Sequence, residues 1–252
     1  MKPENKLKII VLFIDLMIIV SFILLWEQLV NYKVLDPLFT PSPSTLLKSS
    51  GFIYSQRFIN ALIDSLYPCV LGITLGLLAG LGVGIFIGAI PPLREAIFVY
   101  LNIVQMSPKI IFLPIFTLLF KTGMLSKTLF IALHMFLVIC ITVISALSGV
   151  KQIYVNVAKV MGASRLQIFR EVVFPYISPI LFGGFRVGVA ASFVASLAYE
   201  LLLGGGIGGL VSLYAMKLMP EYVYLATISF GIFCAIINGT LILMERKISS
   251  WR

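Results

Sequence analysis

Residues 65–90 read SLYPCVLGITLGLLAGLGVGIFIGAI, a run without a single charged side chain and with glycine at 72, 76, 80, 84 and 88. Such a run exceeds the ~20 residues that an α-helix needs to cross about 30 Å of hydrocarbon. Four-residue spacing places the five glycines along one stripe of that helix. Side chains missing from a stripe let a neighbouring helix approach closely, which is how helices associate inside a bilayer. The stripe is readable as a sliding or hinge surface or as a static packed face; close packing in lipid favours the second reading. A later run repeats the theme with Gly184, Gly188, Ser192 and Ser196.

Working outward, five more apolar segments appear at about Ile9–Leu29, Ala96–Phe120, Thr128–Leu147, Ile177–Glu200 and Tyr222–Met244. The composition agrees: 60% hydrophobic and 12% charged residues cannot cover a water-soluble surface. The expected fold is all-α, a polytopic membrane protein of about six transmembrane helices. Six spans and one sizeable loop nearly fill 252 residues, leaving no space among them for a separate catalytic domain. Pro108 and Pro114 interrupt the third segment, because each removes a backbone donor where no water replaces it.

The net charge of +9 does not point to nucleic acid in a chain of this kind. Basic residues accumulate in cytoplasmic loops, and with the N-terminus inside, eleven fall on the inner side and six on the outer. Both termini are therefore expected in the cytoplasm. Lys2, Lys6 and Lys8 precede the first apolar segment as in a signal peptide, but Leu25-Trp26-Glu27-Gln28 follows in place of a small-residue cleavage site, so a retained span is expected. Cys69, Cys140 and Cys234 lie within apolar runs at spacings that suit no metal.

The longest polar stretch on the expected cytoplasmic side is the loop at 149–175. Residues Ile153 to Met161 are expected to be helical, Gly162 to end that helix with a positive φ, and Ser164 with Gln167 to form a capping box that starts another. Val157, Val160, Met161, Leu166, Ile168 and Phe169 are too many apolar residues for a solvated loop. The element either presses into a partner's groove or lies on lipid headgroups.

The run Ala158-xxx-Gly162-Ala163-Ser164-Arg165-xx-Ile168-Phe169, with Pro175 after it and Gly183-Gly-Phe-Arg186 beyond, resembles the EAA loop of ABC importer permeases. The group most similar is that of permeases for nitrate, sulfonates, taurine and related small solutes. Pro41-Ser-Pro43, Pro108-Lys109, Leu113-Pro114, Ser126-Lys127, Glu200, Gly206-Ile-Gly208 and Glu245-Arg-Lys fall in the family's order, so the resemblance extends over about residues 35–248. Asn156 and Val157 replace the family's glutamate and first alanine, and Lys121 stands where a glycine is usual.

The resemblance implies a type I ABC importer permease, with an N-terminal span and connection at 1–60 and a permease core at 61–248. It implies a coupling surface on Asn156, Val157, Ala158, Gly162, Ala163, Ser164, Arg165, Ile168, Phe169 and Pro175. A translocation path would use Met106, Pro108, Lys109, Arg186 and Glu200, and an outer gate Gly204, Gly206 and Gly208. Implied partners are a dimer of ATPase subunits, which would hold ATP and Mg, a second permease copy in a homodimer, and an extracytoplasmic solute-binding protein, all at a bacterial inner membrane. The solute would be small and polar or anionic, similar to nitrate, sulfonate, taurine or bicarbonate. This chain would itself bind no cofactor.

The residues by themselves agree on one point: there is no Gly-xxxx-Gly-Lys-Ser/Thr loop to cradle nucleotide phosphates. Arg186 and Glu200 are 14 residues apart and so within about 40° on one helical face. That face is expected to line a path, or else both groups pair with neighbouring helices. His134 has no carboxylate one turn away and is expected to be packed or hydrogen-bonded, not a proton relay. The glycines at 204–209 are expected to form a flexible loop. Two rivals remain at this point, an ion-coupled secondary carrier acting alone and a membrane scaffold without a path; the first lacks a second broken span in a matching half, and the second leaves Lys109 and Arg186 unexplained.

Overall fold

The computed structural model describes residues 3–249. Lys2 and Arg252, and the side chains of Lys6, Lys8 and Lys247, which entered the charge count, lie outside that description. The elements are α1 (Pro3–Asn31), α2 (Pro43–Lys48), α3 (Gln56–Ala89), α4 (Pro91–Met106), α5 (Leu113–Phe120), α6 (Met124–Ser148), α7 (Gln152–Val160), α8 (Arg165–Ile168), α9 (Phe174–Leu203), α10 (Gly206–Met216) and α11 (Pro220–Ser249). A π-helical turn, Phe169–Val173, makes α8 and α9 nearly continuous. Five helices are long and apolar enough to cross a membrane, and α4 with α5 supplies a sixth, broken span.

Helix α6 is the centre of the molecule. Ile131, Met135, Ile139, Cys140 and Val143 along it are no more than 1% exposed. On one side it meets the glycine stripe of α3. A Cβ added at Gly72, Gly80 or Gly84 would stand 2.8, 2.9 and 2.9 Å from the Cβ atoms of Ile131, Ile139 and Val143. On the other side Gly184 and Gly188 of α9 leave the same kind of space, filled by Thr142 and by Met135 Sδ. The stripe is thus a static packed face, each branched or long residue of α6 seated where a glycine omits a side chain.

Local sequence explains the ends. Ser55 caps α3 by accepting the Phe58 N–H at 3.3 Å, so the helix starts well before the apolar run and residues 60 and 61 both lie inside it. Ser107, which precedes a proline, is extended (φ −68°, ψ 142°), and the chain turns there by 90° between α4 and the segment Lys109–Phe120. Helix α1 is bare along most of its length, with Phe13, Leu16, Ile18 and Phe22 between 59 and 64% exposed. Its far end is tied down by Trp26 against Tyr224, ring centroids 5.8 Å apart, and by Glu27, which accepts the Ser44 hydroxyl at 2.8 Å.

The packing of α3 on α6 makes a graded prediction. Gly76→Leu drives a side chain into the backbone of α6 at Ala132 and should cost about 2 kcal/mol or more, read as a lowered unfolding midpoint in detergent. Gly82→Leu, where a Cβ meets nothing within 4 Å, should leave the midpoint unchanged. Equal effects of the two substitutions would contradict the packed stripe.

Candidate functional site

The loop between α6 and α9 is built as a helix, a turn and a second helix. After α7, Gly162 takes φ 81°, its N–H reaches Lys159 O at 3.0 Å, and the Ala163 N–H reaches Ala158 O at 3.0 Å. This is the double bond pattern that closes a helix on a left-handed glycine. Ser164 Oγ then accepts the Gln167 N–H at 3.3 Å, while Gln167 Oε1 accepts the Ser164 N–H at 2.8 Å. The expected capping box is present, and the turn is set by backbone hydrogen bonds on one side and by side-chain caps on the other.

This fixed turn presents apolar residues outward. Val160 is 89% exposed, Met161 81%, and Leu166 75%. Val157 and Phe169 are exposed beside them, with the cations Lys159 and Arg165 flanking the turn. Asn156 is exposed too, its Oδ1 accepting from Gln152 Nε2 at 3.3 Å. Ile168 is buried and anchors the second helix, while Ala158, Ala163 and Pro175 are half-buried. Pro175 lies within the first turn of α9, apart from the exposed knob. A fixed projection with a long-chain apolar tip suits insertion into a protein groove better than contact with water.

At the opposite end of the bundle lies a buried polar knot that the sequence reading did not assemble. Lys127 Nζ stands 2.6 Å from Glu200 Oε1, with the two side chains 7% and 0% exposed. The same ammonium donates to Asp64 O at 2.8 Å, and Ser196 Oγ donates to Glu200 Oε1 at 2.9 Å. The other carboxylate oxygen accepts the Gly208 N–H at 2.7 Å, and Ser65 Oγ accepts the Ile207 N–H at 2.9 Å. Tyr199 binds the turn before α6 through the N–H and carbonyl of Gly123. Helices α3, α6, α9 and α10 therefore meet on one ion pair, beside a cavity of about 420 Å³ lined by Asp64, Tyr67, Lys127, Tyr199 and Gly204–Gly206.

Three expectations change here. The glycines from 206 onward are no flexible loop: Gly206 opens α10, and both Gly206 and Gly208 are buried against Glu200, leaving no space for a Cβ. Only Gly204 and Gly205, at φ 84° and 80°, form the link. Glu200 is sealed inside the knot and faces no open path. Arg186 does not share a site with Glu200 either. The continuous helical segment Arg165–Leu203 has 39 residues, about 58 Å, roughly twice the hydrocarbon thickness. Counted back from Leu203, Arg186 lies about 25 Å away along the helix, where its Nε is 3.5 Å from Glu245 Oε2. The two residues belong to opposite ends of the span, each paired with a neighbouring helix.

Met106, Pro108 and Lys109 do stay together at the break between α4 and α5. Met106 is 85% exposed, and Lys109 Nζ donates to Gln105 O at 2.8 Å. His134 is packed in the bundle, with Nδ1 2.9 Å from Phe130 O and its ring edge-on to Phe130.

Comparison with known proteins gives the class. A family model described as binding-protein-dependent transport system inner membrane component matches residues 72–250. The chain belongs to this family and is a transmembrane permease component of the ABC importer type. Among its relatives are the taurine transport system permease protein of Escherichia coli, 26% identical over 90% of this chain and 85% of that one, and the nitrate import permease protein of Synechocystis sp., 28% identical over 81% and 78%. The fold is shared with the methionine ABC transporter MetNI at a TM-score of 0.65 and 18% identity, covering 77% of this chain and 99% of that one. It is shared as well with an amino acid ABC transporter, at a TM-score of 0.60 and 19% identity over 79% and 97%.

Three substitutions test the knot and its surroundings. Removing one partner of the buried pair, as in Lys127→Met or Glu200→Gln, should cost about 3–5 kcal/mol, and the double variant should lose less than the two single losses combined. Unfolding midpoints in detergent measure this, and simple additivity would dissolve the proposed coupling. Lys121, where the family resemblance predicts glycine, has φ 61° and ψ 174°, a region that only glycine enters freely. Lys121→Gly should therefore raise stability by about 1 kcal/mol; a lower midpoint would show that the lysine side chain holds the turn.

Proposed function

We propose that this chain is the permease half of a solute importer whose energy comes from a separate pair of ATPase subunits docking on the 149–175 loop. The observation that carries the reading is the fixed, outward turn with Val160, Met161 and Leu166 at its tip. ATP and Mg would be held by those subunits, since this chain has no phosphate-binding loop. The loop then faces the cytoplasm, as do both termini, in keeping with the bias of basic residues. Closure of the ATPase pair pulls on α7 and α8, and the packed α3–α6–α9 body rocks as a unit, opening the path alternately to each side. A second copy completes the pore as an isologous pair, in a bacterial inner membrane.

The path is assigned to the break at Met106, Pro108 and Lys109, whose cation and free backbone groups suit a small polar or anionic solute. The relatives named for taurine and nitrate support that class of solute. A soluble binding protein delivers it to the end that carries the Lys127–Glu200 knot, with Gly204 and Gly205 at that mouth.

The docking surface is tested by association. Met161→Asp and Leu166→Asp change exposed side chains and should leave membrane insertion intact while reducing co-purification of the ATPase subunit at least tenfold, roughly the loss of one buried apolar anchor. Phe169→Asp should act in the same direction. Undiminished ATPase association in all three variants would overturn the assignment.

A further inference from the structure

Helices α9 and α11 meet at Phe193 and Phe230, ring centroids 6.0 Å apart, but leave space beside that contact. A groove of about 460 Å³ runs between them, walled by Phe193, Leu197, Phe230 and Leu241 and interrupted by Asn238. On α11 its lining extends from Thr227 to Leu241, 14 helical steps or about 21 Å, more than the depth of one leaflet. The groove is open along one side, where Val194 of its lining is 68% exposed. Gly231 leaves part of the lining bare, since a Cβ there would meet nothing within 4 Å.

Arg186 lines the groove at the end nearest the 149–175 loop. Its side chain is 36% exposed, its one ion pair is the 3.5 Å contact with Glu245, and it donates no hydrogen bond among the described residues. The adjoining Arg246 is exposed. A guanidinium at a membrane boundary with donors to spare, over a long apolar groove, matches one class of ligand: an anion attached to hydrocarbon. Basic pockets between transmembrane helices on the cytoplasmic side recognise anionic headgroups on this principle.

We propose that the α9–α11 groove binds an anionic phospholipid of the cytoplasmic leaflet, one acyl chain lying along Val194, Gly231 and Leu241 and the phosphate accepting hydrogen bonds from Arg186. Glu245 holds the guanidinium at the groove mouth and, being an acid beside the phosphate, sets an upper limit on the affinity. The leaflet follows from the orientation proposed above; the groove and its cation do not depend on it.

The test uses the full chain in mild detergent with equimolar phosphatidylglycerol and phosphatidylcholine of identical acyl chains, counting retained lipids by native mass spectrometry. The wild type should retain phosphatidylglycerol over phosphatidylcholine by about fivefold, the preference that one arginine near the surface supplies. Arg186→Gln should bring that ratio close to one, and Glu245→Gln should raise it. Gly231→Leu, which adds a side chain to the groove from a Cβ that meets nothing within 4 Å, should remove both lipids. An unchanged ratio in Arg186→Gln would overturn the headgroup contact. Unchanged lipid retention in Gly231→Leu, or separation of two copies in its place, would overturn the groove as a lipid site, the latter by assigning it to a second chain. Either failure leaves ATPase association, and so the permease reading, untouched.

Discussion

The buried pair of Lys127 and Glu200 is the interaction on which the end of the bundle away from the 149–175 loop depends. Each residue is placed against its own helix: the lysine in the first turn of α6, where the dipole is positive, and the glutamate in the last turn of α9, where it is negative. Neither position favours the charge it carries, and both side chains are out of water. Their pairing at 2.6 Å resolves both problems at once and requires the ends of α6 and α9 to adjoin. The remaining carboxylate oxygen then finds the Gly208 N–H at the start of α10, the end of a helix that does favour an anion. This is why the chain turns back through two left-handed glycines after α9, and why Gly206 and Gly208 have no side chains.

Close packing fixes the rest of the body. Helix α6 is held by glycines on both flanks, so α3, α6 and α9 cannot slide past one another without forcing branched side chains over backbone. The loop that presents Val160 and Leu166 joins the end of α6 to the start of α9. A pull on it reaches two helices that are already locked together along their length and joined by an ion pair at the far end. Motion in such a unit is carried as rotation of the whole body, which is the rocking that the proposed mechanism needs.

The fold was legible in sequence wherever the signal is local. Five glycines at a four-residue spacing announced the α3 stripe, a proline pair announced the broken span, and Gly162 with Ser164 and Gln167 announced the turn of the loop. Each rests on residues within a turn or two of one another. What escaped depends on distance along the chain. Lys127 and Glu200 are 73 positions apart, and the lysine looked like one more flanking charge; the signal available was that a carboxylate inside a span requires a cation at the same depth on a neighbour. The pairing of Arg186 with Glu245 was out of reach for a related reason: its helix continues through a π turn into α8, and apolar content alone does not show where such a long helix leaves the bilayer. The polyglycine stretch read as flexible because its partner, Glu200, is what orders it.

The polar groups inside the bundle also bear on selectivity. His134 is bonded to Phe130 O, Ser192 to Gly188 O, Thr142 to Val138 O, and Lys127 to Glu200 and Asp64 O. Each is satisfied by the protein itself and has little left to offer a solute. Lys109 differs, since its ammonium donates to a single backbone carbonyl and keeps two donors in reserve, next to a Gln105 Oε1 that has no partner. One cation at a bend can favour a class of solute by charge, but it cannot distinguish nitrate from a sulfonate, which requires several groups in a closed, shaped pocket. Fine discrimination then has to reside in the binding protein that delivers the solute, and the permease needs only a path whose own polar groups hold nothing tightly enough to keep it.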